Sequence, residues 1–234
     1  MSNVLPIFKK ELRSYFTSPI AYFVITVFLL LTGVFFAFSL FPTGQASLRN
    51  LFQIVPFFFV LFVPAITMRL ISEEKKSGTF ELLATMPVAD TEIILGKYLA
   101  ALVLLMVSLG FTLTYAITMG ALGNIDGGAT VAGYLGLVLL GAGYIGIGIL
   151  ASSLTENQII AFLVSLFVIF VLSIIDKLLL FLPSALASVL EYLGTEYHFN
   201  NIARGVLDSR DLVYYASLIV LGLYFSARAL QHRF

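Results

Sequence analysis

Six stretches of this chain are each long and apolar enough to cross a bilayer, and little else about its fold is left open once that is seen. Roughly 30 Å of hydrocarbon requires about 20 helical residues at 1.5 Å each. The six runs are Ile20 to Phe41, Leu51 to Ile71, Tyr98 to Leu122, Val131 to Ser153, Ile159 to Leu182 and Leu212 to Leu230. Backbone groups inside hydrocarbon must bond within their own segment, so such runs form helices. They lack the alternating polar face of a barrel strand. The expected fold is all-α: a polytopic membrane protein, one transmembrane domain over residues 1–234 with six transmembrane helices.

Composition narrows the partners. Hydrophobic residues make up 60% of the chain and charged ones 11%, and thirteen basic residues balance thirteen acidic ones. No net field attracts nucleic acid, so only the placement of charge carries information. There is no Cys, which excludes disulfides and thiolate chemistry, and no Trp, so Tyr and Phe must form the interfacial belts. Nine basic residues fall on one side of the spans: Lys9, Lys10, Arg13, Arg69, Lys75, Lys76, Lys97, Arg228 and Arg233. Four fall on the other: Arg49, Lys177, Arg204 and Arg210. The excess predicts that both termini and the stretch 72–97 are cytoplasmic.

Ahead of the first run, Val4, Leu5, Phe8, Leu12, Tyr15 and Phe16 fall within an arc of roughly 120°, with Lys9, Lys10 and Arg13 outside it. Residues 1–19 therefore read as an amphipathic helix on the inner leaflet, with Pro19 turning the chain into the first span. That first apolar run is too long for the core of a signal peptide, so the segment is expected to be retained.

Within the spans, Pro56 and Pro64 interrupt the second helix, either as hinges of a flexible, cavity-lining helix or as static kinks. The fourth span pairs Ala142 with Gly146 and Gly148 with Ser152, small residues four apart that admit a close neighbour, either a helix of the same chain or one across a subunit interface, with the first expected. Thr155 and Gln158 are candidate caps of the fifth span, with Glu156 at its positive end. Asp176 and Lys177 close that span and are expected to reach the interface by snorkelling. Residues 183–211 form an extracytoplasmic region, with a short helix expected from Pro183 to Leu193. His198 reads as an interfacial residue, and Asp208, Ser209 and Asp211 as caps of the last span.

No phosphate-binding loop, nucleophile elbow or zinc-protease motif occurs, so neither ATP binding through a P-loop nor catalysis is expected, and no metal or cofactor. The charge is concentrated in residues 72–97, which hold five acidic and three basic residues, including Glu73, Glu74 and Lys97. Gly78 allows a turn. From Thr79 to Met86 the spacing is helical, with Phe80 and Leu83 on one side, and Pro87 ends the segment. So short a helix is marginal alone, and its apolar face calls for a partner surface. Asp90 or Thr91 is expected to cap the next helix, with Lys97 at the interface.

These residues resemble the signature cytoplasmic loop of type 2 ABC exporter permeases. Glu74, Gly78, Thr79, Glu81, Leu83, Pro87, Gly96 and Lys97 occupy the positions that family's pattern expects. The closing segment, His198 to Phe234, is similar to permeases associated with gliding motility and with nitrous oxide reductase maturation. The resemblance implies that Gly78, Thr79, Phe80, Glu81, Leu82, Leu83, Met86 and Pro87 form a coupling helix docking on a separate ABC ATPase subunit. It implies too that 1–19 is the connecting helix, that ATP and Mg belong to the ATPase, and that a second permease chain, identical or not, completes an exporter. The setting implied is a bacterial inner membrane. Two other readings stay open, an ion-coupled secondary transporter and a force-transmitting membrane anchor of a surface machinery such as gliding motility.

Overall fold

The computed structural model describes residues 3–43, 48–80, 88–123, 125–178 and 191–231. Among them the helices are α1 (Val4–Thr17), α2 (Pro19–Thr43), α3 (Arg49–Thr67), α4 (Ser72–Lys76), α5 (Asp90–Leu122), α6 (Gly127–Leu154), α7 (Gln158–Leu178), α8 (Thr195–Ala203) and α9 (Ser209–Gln231), with no strand. Six of these segments are long and apolar enough to cross a membrane, as the apolar runs require.

The break between α1 and α2 is a single residue. Ser18 is extended (ψ 140°), the conformation a following proline favours, and Pro19 then begins α2, where its missing N–H costs nothing. Two helix starts differ from expectation. Asp90 lies inside α5, whose cap is Ala89, and the Glu92 carboxylate reaches back to the Ala89 N–H at 3.3 Å. At α7 the cap is Asn157, whose side-chain oxygen accepts the Ile159 N–H at 2.9 Å; Thr155 supports Asn157 at 3.1 Å. Asparagine caps as well as threonine, and its position next to the first helical residue decides between them.

α6 is the hub. Over its most apolar window 78% of residues are buried, against 67% for the α3 segment, 61% for α5, 28% for α2 and 22% each for α7 and α9. It packs against α3, α5, α7, α8 and α9, with α9 as its most extensive neighbour. Lipid tails are as apolar as leucine, so membrane helices associate through close packing and hydrogen bonds, and the small residues of α6 supply that closeness. A side-chain carbon at Gly148 would overlap the Thr67 Oγ1 of α3, and one at Gly222 of α9 would lie 2.7 Å from the Gly146 backbone carbon. The small-residue faces of α6 are thus used within the chain. Pro56 and Pro64 are buried inside a continuous α3, and neither lines the cavities described below.

Candidate functional site

One end of the bundle gathers the charge. Gly78 takes a positive φ of 70°, a conformation open to glycine, and reverses the chain after α4. Beyond it Thr79 is exposed, its hydroxyl 2.8 Å from that of Ser77. Phe80 is buried in this chain's own core, with the Lys75 ammonium 6.0 Å from its ring centroid. It therefore contributes to seating the loop, which differs from its expected place on an open face. Glu81, Leu82, Leu83, Met86 and Pro87 lie outside the described residues.

Beneath the turn lies an ionic cluster joining three elements. Lys97, on the second turn of α5, is enclosed by protein (1% exposed) although its expected place was the interface. Its ammonium lies 3.1 Å from Glu11 of α1 and 2.9 Å from Glu74 of α4; the second contact is an ion pair outside hydrogen-bond alignment. Lys10 closes the quartet, 3.3 Å from Glu74 and 3.5 Å from Glu11. Two cations and two carboxylates cancel, which is what makes an enclosed lysine tolerable. Partial burial pulls the Lys10 ammonium down, and the Glu74 and Glu11 carboxylates outweigh that and hold it above its ordinary value. Glu73 faces outward and pairs with Arg69 one turn back at 3.0 Å.

The same region is tied to α3 and α6. The Ser152 hydroxyl of α6 accepts the Ile71 and Ser72 N–H groups at 3.1 and 3.0 Å and donates to the Met68 carbonyl at 2.9 Å. It thereby satisfies backbone groups that the end of α3 and the start of α4 leave open. The Lys75 ammonium donates to the Ser153 carbonyl. On α1, the buried Tyr15 hydroxyl donates to the Ile66 carbonyl at 3.0 Å; burial raises this phenol far above its ordinary value. A cleft of about 250 Å³ opens among these groups, bordered by Lys10, Ser14, Arg69, Glu73 and Thr79.

Sequence reasoning missed Glu11 and Ser152. At 100° per residue Glu11 sits about 20° beyond the apolar arc of α1, next to Val4, and a lone carboxylate flanking an apolar stripe is the signal that could have found it. Ser152 drew attention only as a small residue.

At the opposite end the outer residues also depart from expectation. His198 is buried, with Nδ1 2.6 Å from the Asp211 carboxylate and Nε2 3.1 Å from the Tyr192 carbonyl, and its ring stacks on Tyr214 at 4.0 Å. Asp211 is thus a partner of His198, and the cap of α9 is Asp208, which accepts the Arg210 N–H at 2.9 Å. Lys177 does reach outward and pairs with Glu196 at 3.3 Å. The Asp176 oxygens are buried against Gly194, without a hydrogen-bond partner among the described residues. The expected helix at Pro183 to Leu193 falls mostly outside the described residues.

Six membrane-length helices, an amphipathic helix packed on one end and a charged turn wedged between them define a polytopic membrane protein. A comparison with protein families matches residues 50–195 to the family described as ABC-2 family transporter protein, well over half of the chain. The chain belongs to that family and is a membrane permease component of an ABC transporter. The matched segment contains the charged turn and ends before His198, so the likeness of the closing segment to the gliding-motility branch receives no support from it. No curated protein matches the chain.

Proposed function

We propose that this chain is the non-catalytic permease subunit of an ATP-driven exporter, in which a separate ABC ATPase docks on the segment following Gly78 and two permease chains enclose the path of the cargo. Both termini and the charged turn face the cytoplasm in this reading, as the excess of Lys and Arg at that end favours. ATP and Mg are held by the ATPase, and this chain binds no cofactor. The membrane is the inner membrane of a bacterium.

The observation that carries the proposal is the Glu11–Lys97–Glu74 cluster. A push on the turn after α4 reaches α1 and α5 through ion pairs, α6 through Ser152 and Ser153, and α3 through the Met68 carbonyl. A loop free in water would transmit little. A loop held to four helices moves them together, the requirement for switching the access of a cavity by rigid-body rotation.

The test uses the absence of native cysteine. Thr79→Cys places the sole thiol of the chain on the exposed turn, and in membranes co-expressing a P-loop ATPase encoded beside it, a bifunctional reagent should link the two chains. The chain alone should hydrolyse no ATP, and Glu74→Gln should lower permease-stimulated hydrolysis several-fold while circular dichroism keeps its helical signal. Absence of the cross-link together with full stimulation in Glu74→Gln would refute the proposal.

The Asp176 carboxylate, whose oxygens are buried without an aligned hydrogen bond among the described residues, favours one competing reading, an ion-coupled transporter. Gradient-driven flux in vesicles containing this chain alone, lost in Asp176→Asn, would select it.

A further inference from the structure

We infer that the gap between α7 and α9 binds one membrane phospholipid whose head carries a phosphate and a primary ammonium: an acyl chain lies in the gap, and the head meets Arg210 and Glu191. Five spans surround α6, and their neighbours pack against one another, α2 on α3, α3 on α7, α5 on α9 and α2 on α5. α7 and α9 are the exception: both pack on α6 and share no extensive contact with each other. Between them lies a groove of about 480 Å³, with Leu150 and Ala151 of α6 as its floor, Val168 and Leu172 of α7 as one wall and Leu218 and Leu221 of α9 as the other.

The groove complements a hydrocarbon chain. Among the described residues no charged group lines it, and the Tyr214 and Ser217 hydroxyls on its edge donate to the carbonyls of Leu193 and Tyr214, at 2.8 and 2.7 Å. From Tyr214 to Phe225 it runs about 16 Å along α9, close to the roughly 15 Å of hydrocarbon that one leaflet contributes. A helix of a second copy, about 10 Å across, would need roughly 1,300 Å³ over that length, more than the groove offers.

The head has its own place one turn above. Tyr214, Ser217, Leu221 and Phe225 fall within about 60° of Arg210 around α9, so Arg210 lies on the face that borders the groove. It is exposed, and its side chain has no partner among the described residues. Glu191, immediately before the groove residues Tyr192 and Leu193, is half-buried and likewise unpaired among them. The acidic residues flanking Arg210 are committed, Asp208 to capping α9 and Asp211 to His198, and Glu196 pairs with Lys177. One free cation and one free carboxylate that do not pair with each other match a phosphate and an ammonium on a single head. An anionic head would leave Glu191 unanswered, and a hydrocarbon without a head would leave both.

The chain has no Trp, so a single introduced Trp reports on its own surroundings. Leu221→Trp places the reporter on the groove wall, and Val220→Trp, exposed on α9 and outside the groove, reports the surrounding bilayer. Each full-length variant is reconstituted in phosphatidylcholine vesicles containing a fraction of chain-brominated phosphatidylethanolamine or phosphatidylglycerol. Quenching by bromine then gives the affinity of each lipid relative to phosphatidylcholine, and because lipids are compared within one variant, a change in stability does not mimic a change in preference. At Leu221→Trp phosphatidylethanolamine should be preferred about fivefold, the weight of an exposed charge pair, and more strongly than phosphatidylglycerol; at Val220→Trp the ratio should be about one. Arg210→Gln or Glu191→Gln, added to Leu221→Trp, should each bring the ratio down to about one. The same ratio at both reporters, or a preference kept in both head variants, would overturn the site. A stronger preference for phosphatidylglycerol would overturn the paired head, and a Leu221→Trp reporter that no brominated lipid quenches would overturn the lipid, since protein would then cover the groove.

Discussion

The enclosed lysine is the residue on which the cytoplasmic end turns. Lys97→Met should leave Glu11 and Glu74 facing each other across an apolar side chain, and removing one partner of a buried pair costs about 3 kcal/mol. We expect a clear drop in the thermal midpoint of the detergent-solubilised chain and partial recovery in the Glu11→Gln, Lys97→Met double variant. Strict additivity of the two substitutions would show that the side chains are not coupled. A second expectation concerns alkaline pH. Lys10 is held above its ordinary value of 10.5 and Tyr15 above its ordinary 10.0. In both, the folded chain keeps a proton that the unfolded chain releases, so their contribution is complete below the ordinary values and is lost as pH rises past them. The midpoint should be flat from about pH 7 to 9.5 and fall above about pH 10, and Tyr15→Phe should soften the fall.

At the level of elements, the meeting of α3 with α6 rests on Gly148 facing Thr67. Gly148→Ala inserts a carbon where Thr67 already sits and should cost about 1–3 kcal/mol by overpacking. Thr67→Ala in the same chain removes the crowding oxygen and should restore part of the loss in the midpoint, although the Thr67 Cβ, 2.8 Å from the added carbon, remains. The spans themselves were legible because bilayer thickness and backbone bonding leave one solution for an apolar run of that length. The close packing of α6 was legible too, from six glycines between Gly133 and Gly148. The caps of α5 and α7 were read one or two residues off, since Glu92 reaching back to Ala89 starts α5 and Asn157 takes the place of Thr155 at α7, whereas Asp208, one of three candidates, does cap α9. Interactions between distant elements were not legible: nothing in the spacing of Glu11, Glu74 and Lys97 brings them together before α1 has been folded back onto α5. His198 and Asp211 likewise meet only because α8 turns against α9.

For the molecule as a whole, the uneven burial of the spans divides its surface. α7 buries Ala161, Ser165, Ile169 and Ser173 toward the bundle and leaves Ile159, Leu163, Phe167 and Phe170 open. In an exporter of two permease chains that row is a candidate for facing either lipid or the second copy. Phe167→Cys in this cysteine-free chain decides between them: a disulfide-linked dimer forming in native membranes places α7 at the interface, and monomers labelled by a lipid-soluble maleimide place it in the bilayer.

The contact between Gly222 and Gly146 also has a genetic meaning. Since a side chain on Gly222 would meet main chain, which cannot rotate aside, each first- or second-position base change in that codon introduces an atom with nowhere to go. In a saturation library selected for transporter function, codon 222 should retain synonymous changes alone, while neighbouring exposed codons such as Leu221 and Phe225 drift among apolar residues. The seam between α6 and α9 would then stand out as a line of silence in the data.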